Sequence, residues 1–202
     1  MVGNYLLSAI IGYAIGCFSS AYFLSKMVKK GDIRKYGSGN AGTTNMIRAY
    51  GLGIGLVTLL LDALKGILAL VIGYLIGGEV CGLIGGLFAV IGHILPFYLG
   101  FKGGKGIATT LGIIIAVNPL VGFLLFILGL VIALVTQYVS LSSLTVVLLF
   151  PIICLFLYPT RAFLLFVALV LAGLAIYTHR ENIKRLKNGT ENKTNLIAKL
   201  KK

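Results

Sequence analysis

Residues 106–137 read GIATTLGIIIAVNPLVGFLLFILGLVIALVTQ, an apolar stretch with one strong interruption at Asn118-Pro119. Proline has no N–H to give a helix and disfavours helical geometry in the residue before it, so the stretch is expected to break there. The break leaves a short arm, GIATTLGIIIAV, of about twelve residues and a second arm of spanning length. Whether these arms count as one crossing or two decides the topology of the whole chain.

The surrounding composition makes crossings the right unit of counting. A chain of 202 residues that is 58% hydrophobic and 11% charged, with a mean hydropathy of +1.02, has more apolar surface than one water-soluble core can bury. It reads as an integral membrane protein, all helical, forming a single domain over residues 1–202. Apolar runs cover Tyr5 to Lys26, Leu52 to Ile76, Val80 to Leu99, Val121 to Gln137, Leu144 to Tyr158 and Ala162 to Thr178. Each is near the ~20 residues a crossing needs.

The net charge of +13 then reports topology before it reports any nucleic acid, and no nucleic-acid partner is expected. Apart from Lys65 and Arg161, the Lys and Arg residues lie in Lys26 to Arg48, Lys102 to Lys105, and Arg180 to Lys202. If these segments share the cytoplasmic side, an even number of crossings must separate Lys105 from Arg180. Splitting at Asn118-Pro119 supplies the even number and gives seven spans, with the amino terminus outside and the carboxyl terminus inside. Only Glu79, beside Gly77-Gly78, and Arg161, beside Pro159, fall in the outer turns. The short fourth helix covers only ~18 Å, so its Lys105-bearing start should lie below the headgroups or under a thinned bilayer.

No Lys or Arg precedes Lys26, so the first run lacks a signal peptide's basic leader and reads as a retained span. The sequons at Asn188 and Asn192 sit in the basic tail and are expected to stay unmodified inside the cell. Cys17, Cys81 and Cys154 lie in separate apolar runs and read as small hydrophobes, not metal ligands.

Three segments rich in glycine, hydroxyl groups and positive charge interrupt this apolar background: Tyr36 to Tyr50, Phe101 to Thr110, and Thr178 to Glu191. Glycine lets backbone N–H groups approach an anion, while Arg and Lys supply charge and Ser, Thr and Asn supply hydrogen bonds. In the first segment Gly37, Gly39 and Gly42 match a dinucleotide fingerprint in form only, because an apolar helix and not a strand precedes them. Ser38, Asn40, Thr43, Thr44, Asn45 and Arg48 remain, more polar groups than a helix cap needs, and point to an anion pocket.

The second segment runs from His93, Pro96 and Phe97 through Gly103, Gly104, Lys105 and Gly106 to Thr109 and Thr110. Leu99 replaces the first glycine of a nucleotide-binding loop and Gly106 its Ser or Thr, so nucleotide hydrolysis is not expected. A lysine and glycines ahead of a helix still make a phosphate seat. Inside the second span, Asp62 and Lys65 stand three apart and are expected to pair and fix helices around the site, with Gly66 allowing close packing. Thr136, Gln137, Ser140, Ser142 and Ser143 cluster at the inner ends of the next spans. His179, Asn182, Lys184, Arg185, Gly189 and Glu191 continue the last span as a basic amphipathic arm. Every one of these clusters falls on one expected membrane face.

Read together, the segments resemble the bacterial acyl-phosphate:glycerol-3-phosphate acyltransferases, the PlsY family. The resemblance rests on GSGNAGTTNMIRAYG (37–51), DALKG (62–66), GHILPFYLGFKGGKGIAT (92–109), SLSS (140–143) and HRENIKRLKNGTE (179–191). It implies transfer of a fatty acyl group from acyl phosphate to the 1-hydroxyl of glycerol 3-phosphate, giving lysophosphatidate and phosphate, without cofactor or metal. It also implies seven spans in the bacterial inner membrane, a site facing the cytoplasm and the membrane lipid, and a partner enzyme that makes acyl phosphate. By motif, Ser38, Arg48, His93, Lys105, His179 and Asn182 are expected in catalysis. Gly39, Asn40, Thr43, Asn45, Gly103, Gly104, Gly106, Thr109 and Ser143 are expected to bind substrate phosphate, and Asp62, Lys65 and Glu191 to support the site.

Two phosphate-bearing substrates suit a site with both Arg48 and Lys105, which offset the repulsion between the anions. The acyl phosphate is already activated, so alignment and oxyanion stabilisation are the main requirements, with a substrate phosphate as the base. Neither histidine has an acidic partner at obvious spacing, except through Glu181 or Glu191. A transporter for a phosphorylated solute would also use intramembrane charges and glycine-broken helices, but no paired inverted halves are visible. A third alternative is a scaffold whose basic face holds anionic lipid.

Overall fold

The computed structural model describes residues 1–29 and 31–195, and all regular structure among them is helical. Lys30 and the tail lysines Lys199, Lys201 and Lys202, counted above in the basic segments, lie outside the described residues. The chain divides into two compact units, Met1–Val117 and Asn118–Lys202.

The first unit contains α1 (Val2–Cys17), α2 (Ser20–Lys29), α3 (Thr43–Tyr50), α4 (Leu52–Ile94) and α5 (Ile107–Val117). The expected span from Tyr5 to Lys26 is not one continuous helix, because Phe18, with ψ of 107°, leaves helical geometry. The carbonyls released at the end of α1 find other donors. Lys65 Nζ reaches Gly16 O at 3.2 Å and Phe18 O at 2.8 Å. Tyr98 Oη donates to Cys17 O at 3.0 Å and accepts from Ser19 N at 3.2 Å. Such a break is tolerable among apolar helices only when the freed backbone groups are satisfied in this way.

Helix α4 consists of two arms meeting at Gly77 and Gly78, and Gly78 has φ of 78°, a left-handed conformation that suits glycine. The arms fold back on each other. A Cβ added to Gly73 would strike the carbonyl of Cys81, and one on Gly85 would press on the carbonyl of Ala69 at 2.5 Å. The turn lies between the two expected spans Leu52 to Ile76 and Val80 to Leu99. Helix α1 runs beside the second arm in the same direction: Gly12 sits against the Gly85 carbonyl and Gly16 against that of Ala89. Helix α5 crosses the first arm, Gly112 against the Ala63 carbonyl and Gly66 against that of Thr109. Where lipid offers no hydrophobic drive between helices, small residues at a seam let backbones pack closely.

In the second unit, α6 (Pro119–Thr136) begins where the chain breaks after Val117. Asn118 caps it, its Oδ1 accepting from Val121 N at 3.1 Å, and Pro119 occupies the first turn. Helix α7 (Val139–Leu157) starts five positions before the expected Leu144, and its Ser142 Oγ donates to Gly129 O of α6 at 2.6 Å. Helix α8 (Ala162–Thr178) has the expected bounds, and α9 (Arg180–Lys187) turns away from it by 63°.

By length and composition, Val2–Val28, Leu52–Leu99, Pro119–Thr136 and Val139–Leu157 are able to cross a membrane, and the bent pair α8 and α9 adds a fifth stretch. Helix α5, at 11 residues, is apolar but shorter than these spans.

Candidate functional site

The first polar segment is a loop organised from inside by Asn45, which is 1% exposed. Its Oδ1 accepts from Ser38 N at 2.8 Å, while its Nδ2 donates to the carbonyls of Tyr36 (2.9 Å), Asn40 (3.0 Å) and Ile33 (3.3 Å). Gly37 and Gly39 turn through φ of 56° and 74°. The side chain of Asn45 thus shapes the loop, and Ser38 and Gly39 stand exposed at its crest. Ile33, Ala41 and Met46 root it in a buried apolar cluster with Ala21 of α2.

Helix α3 starts at Gly42 without a side-chain cap, and the hydroxyl of Thr43 in its first turn is enclosed with no hydrogen-bond partner in the protein. An enclosed hydroxyl beside uncapped helix N–H groups is a place where an anion is favoured. Arg48 lies half-buried in the last turn of the same helix.

The second polar segment is laced to the end of α4. Gly103 N donates to Ile94 O at 3.0 Å and Gly104 N to His93 O at 3.1 Å. These two amides are therefore taken up by the backbone, contrary to the expectation that they face an anion. Gly106, with φ of 82°, turns the chain into α5 directly after the half-buried Lys105. Thr109 is completely buried, its carbonyl against Gly66 and its hydroxyl without a partner.

The two segments meet within this unit. A Cβ on Gly104 would lie 2.7 Å from Ala41 O. Arg34 Nη1 donates to Leu99 O at 2.7 Å while Nη2 binds Asp32 Oδ2 at 2.7 Å. The hydrogen bonds from Arg34 hold the Asp32 carboxyl below its usual range, against the opposing effect of partial burial.

Beneath them lies a buried polar cluster. Lys65 Nζ is 2.9 Å from Asp62 Oδ1 and 2.7 Å from His93 Nδ1, and Ser20 Oγ donates to Asp62 Oδ1 at 2.9 Å. Asp62 Oδ1 lies 3.6 Å from His93 Nδ1. His93 therefore does have an acidic neighbour, which sequence spacing concealed because the residues come from different arms of α4.

In the second unit Glu191 gathers the third segment. Its carboxylate accepts from Asn182 Nδ2 (2.7 Å), Ser140 Oγ (3.0 Å) and Arg185 Nε (2.8 Å). Burial alone would raise its pKa, but these three hydrogen bonds outweigh burial and hold the carboxyl below its usual range. Thr194 N donates to Gln137 O at 2.8 Å, securing the chain beyond α9 to the turn before α7. His179 is buried, and its Nδ1 lies 2.9 Å from Ala175 O, so that nitrogen carries the proton. Ser143, the serine of this motif expected to bind phosphate, is half-buried, and it is its neighbour Ser140 that binds the glutamate. Arg185, read as part of the basic arm, joins it on the same carboxylate, while Ser20, which binds Asp62 in the first unit, lies in an apolar run where no local pattern marks it.

Comparison with known proteins agrees with these motifs. A family model described as glycerol-3-phosphate acyltransferase matches residues 6–189. The chain is 44% identical over 197 residues to a glycerol-3-phosphate acyltransferase of Thermoanaerobacter pseudethanolicus, covering 97% of this chain and 98% of the relative. It is 46% identical over 188 residues to the protein of that name in Alkaliphilus metalliredigens, covering 93% and 95%. Among solved structures it resembles PlsY, an integral membrane glycerol 3-phosphate acyltransferase. The glycerol 3-phosphate form matches with a TM-score of 0.89 and 38% identity over 97% of this chain and 98% of that one. The lysophosphatidic acid form matches with 0.87 and 37% over 98% and 99%.

Proposed function

The chain belongs to the glycerol-3-phosphate acyltransferase family, and from that premise we propose that it moves a fatty acyl group from acyl phosphate to the 1-hydroxyl of glycerol 3-phosphate. It is a multi-pass membrane protein and an acyltransferase acting on glycerol 3-phosphate. Acyl phosphate as donor and lysophosphatidate as product are the proposed refinements, the product in keeping with the second form of the similar crystal structure.

One observation carries this reading: in the first unit, the uncapped start of α3 with the enclosed Thr43 hydroxyl belongs to the same loop that meets the Gly103–Gly106 turn at Ala41. That arrangement supports an anion seat with Arg48 and Lys105 as its cations. In the proposed reaction the acceptor oxygen forms a bond to the acyl carbon, the bond from that carbon to the phosphate oxygen breaks, and phosphate leaves. The hydroxyl proton passes to a phosphate oxygen of a substrate. The donor is already a mixed anhydride, so alignment, oxyanion stabilisation and exclusion of water supply the rate. Asn45 is assigned to loop shape, and Ser38, Gly39 and Asn40 to substrate contact at the exposed crest.

We assign seven crossings, with the amino terminus outside and the basic tail in the cytoplasm. The doubling-back of α4 and the break before α6 support that count. His179, Asn182 and Ser143 are assigned to the reaction through their motif, and Glu191 to holding that motif together. Purified protein in lipid, given acyl phosphate and glycerol 3-phosphate, should release phosphate and form lysophosphatidate in equal amounts. Absence of both products from folded protein, or activity only with a thioester donor, would overturn the proposal.

A further inference from the structure

His93 stands at the junction of the buried Asp62–Lys65 pair and the glycine turn that precedes Lys105. An ammonium donates hydrogen bonds and cannot accept one, so Nδ1 of His93, 2.7 Å from Lys65 Nζ, must be the acceptor. The alternative, Nδ1–H donating to Asp62, spans 3.6 Å and is too long for a hydrogen bond. The imidazole is then neutral, with its proton on Nε2.

That nitrogen faces the glycine turn. A Cβ on Gly104 would collide with Nε2 and come within 2.8 Å of Cε1, so only glycine lets the turn close on the ring. The backbone of the same residue holds the turn a second time, since His93 O accepts from Gly104 N at 3.1 Å and a Cβ on Gly103 would run into that carbonyl. The same added Cβ would also lie 2.7 Å from Ala41 O of the first loop, so ring, turn and first loop meet at this one glycine. A displacement of the ring would therefore shift both loops and the backbone of Lys105.

We propose that His93 is a positioning residue: Lys65 fixes its ring in the Nε2–H form, and the ring seats the Gly103–Gly104 turn that places Lys105 for substrate phosphate. The role of Lys105 in this statement rests on the function proposed above. A buried ion pair gives little net stability compared with apolar packing; Lys65 closes the break after α1 through Gly16 O and Phe18 O, and its contact with Nδ1 also orients the imidazole. With one nitrogen engaged by Lys65 and the other protonated, His93 is not poised to take the hydroxyl proton.

The chain has two histidines, so histidine labelled with nitrogen-15 gives a spectrum of two imidazoles, and H93Q identifies the His93 signals by their loss. The full-length protein in lipid nanodiscs at neutral pH should show His93 protonated on Nε2 alone, and K65M should erase that preference. A proton on Nδ1, or a doubly protonated ring, would overturn the assignment whatever the protein's activity. In kinetics, H93L should raise KM for glycerol 3-phosphate by ~30-fold or more with kcat lowered less than ~3-fold, and H93Q, which keeps an N–H donor, should recover most of that loss. In protein that remains folded, K65M added to H93L should change KM less than ~3-fold, since the effect of Lys65 on substrate affinity passes through the ring even though it also holds the break after α1. A fully additive double variant, or an H93L kcat loss of ~10³ at unchanged KM, would sink the positioning role. If K65M fails to fold, the wild-type spectrum and the H93L and H93Q kinetics still decide. Lack of acyl transfer by the wild-type protein would remove the proposed function while leaving the spectral test of the ring intact.

Discussion

Ser140 Oγ donates to Glu191 Oε1 at 3.0 Å, joining the first turn of α7 to a residue 51 positions later in the chain. Asn182 and Arg185 complete the set around that carboxylate. Replacing Glu191 with Ala strands Asn182 and Ser140 without their acceptor, and loss of buried hydrogen bonds to a charged group costs about 1–3 kcal/mol. We expect E191A to lower the melting temperature by several degrees and E191Q by less, measured in detergent. The fold favours the charged carboxylate, so its contribution is present above the ordinary value of 4.5 and fades as pH falls through the lower folded value. Hydrogen exchange in residues 182–194 should accordingly rise on acidification below that range in wild type but not in E191A. A melting temperature unchanged in E191A would refute this account of the tail.

Arg48 and Lys105 carry the charge of the proposed anion seat. Truncating either should cut kcat/KM for glycerol 3-phosphate by ~10²-fold or more, because charge-assisted contacts to phosphate are the strong ones. K105R should restore less than half of the loss, since a forked guanidinium and a compact ammonium place their donors differently. Near-normal kinetics in both R48A and K105A would remove the two-anion pocket.

The two histidines separate the candidate bases. His179 holds its proton on Nδ1 against Ala175 O, whereas His93 presents the opposite form. If a substrate phosphate takes the proton, H179A should lose affinity or folding stability but keep kcat within ~10²-fold, below the full contribution of a general base. A fall of ~10³ or more in kcat with affinity unchanged would make His179 the base instead.

Features set by a single residue's backbone chemistry were legible in the sequence. The break at Asn118-Pro119 follows from proline, and the turn of α4 from Gly77-Gly78. The Asp62–Lys65 pair was legible because positions three apart share a helix face. Contacts between distant elements left no such mark. Nothing in the spacing shows Ser20 or His93 joining that pair, or Ser140 serving Glu191. The break at Phe18-Ser19 carries no proline and exists because Lys65 and Tyr98 can satisfy it from other helices. Gly103 and Gly104 read as free anion donors until the end of α4 is seen to occupy them.

Topology is open to a labelling test. With Cys17, Cys81 and Cys154 replaced by Ala, single cysteines placed at Gly3 and Gly189 should react with a membrane-impermeant maleimide from opposite sides. We expect G3C to label in right-side-out vesicles and G189C only in inverted ones, as the positive-inside rule requires for this tail. Labelling of both from one side would impose an even number of crossings and overturn the count of seven.

The glycine seams make the sharpest stability contrast. A Cβ on Gly16 would drive into the Ala89 carbonyl, and one on Gly112 into that of Ala63. Both obstacles are backbone, so the helices must separate and lose packing along the whole seam. Gly53 and Gly173, by comparison, have open space where a Cβ would go and no left-handed φ. Helix propensity favours Ala over Gly by up to ~1 kcal/mol, so G53A and G173A should be neutral or slightly stabilising. We expect G16A and G112A to cost about 1–3 kcal/mol, seen as a lowered melting temperature in detergent. G112A should also reduce activity, because α5 carries the chain directly from Lys105 past the first arm of α4, and a shifted α5 displaces that lysine. Equal melting temperatures for all four variants would mean that α1 and α5 do not pack on α4 as closely as this structure places them.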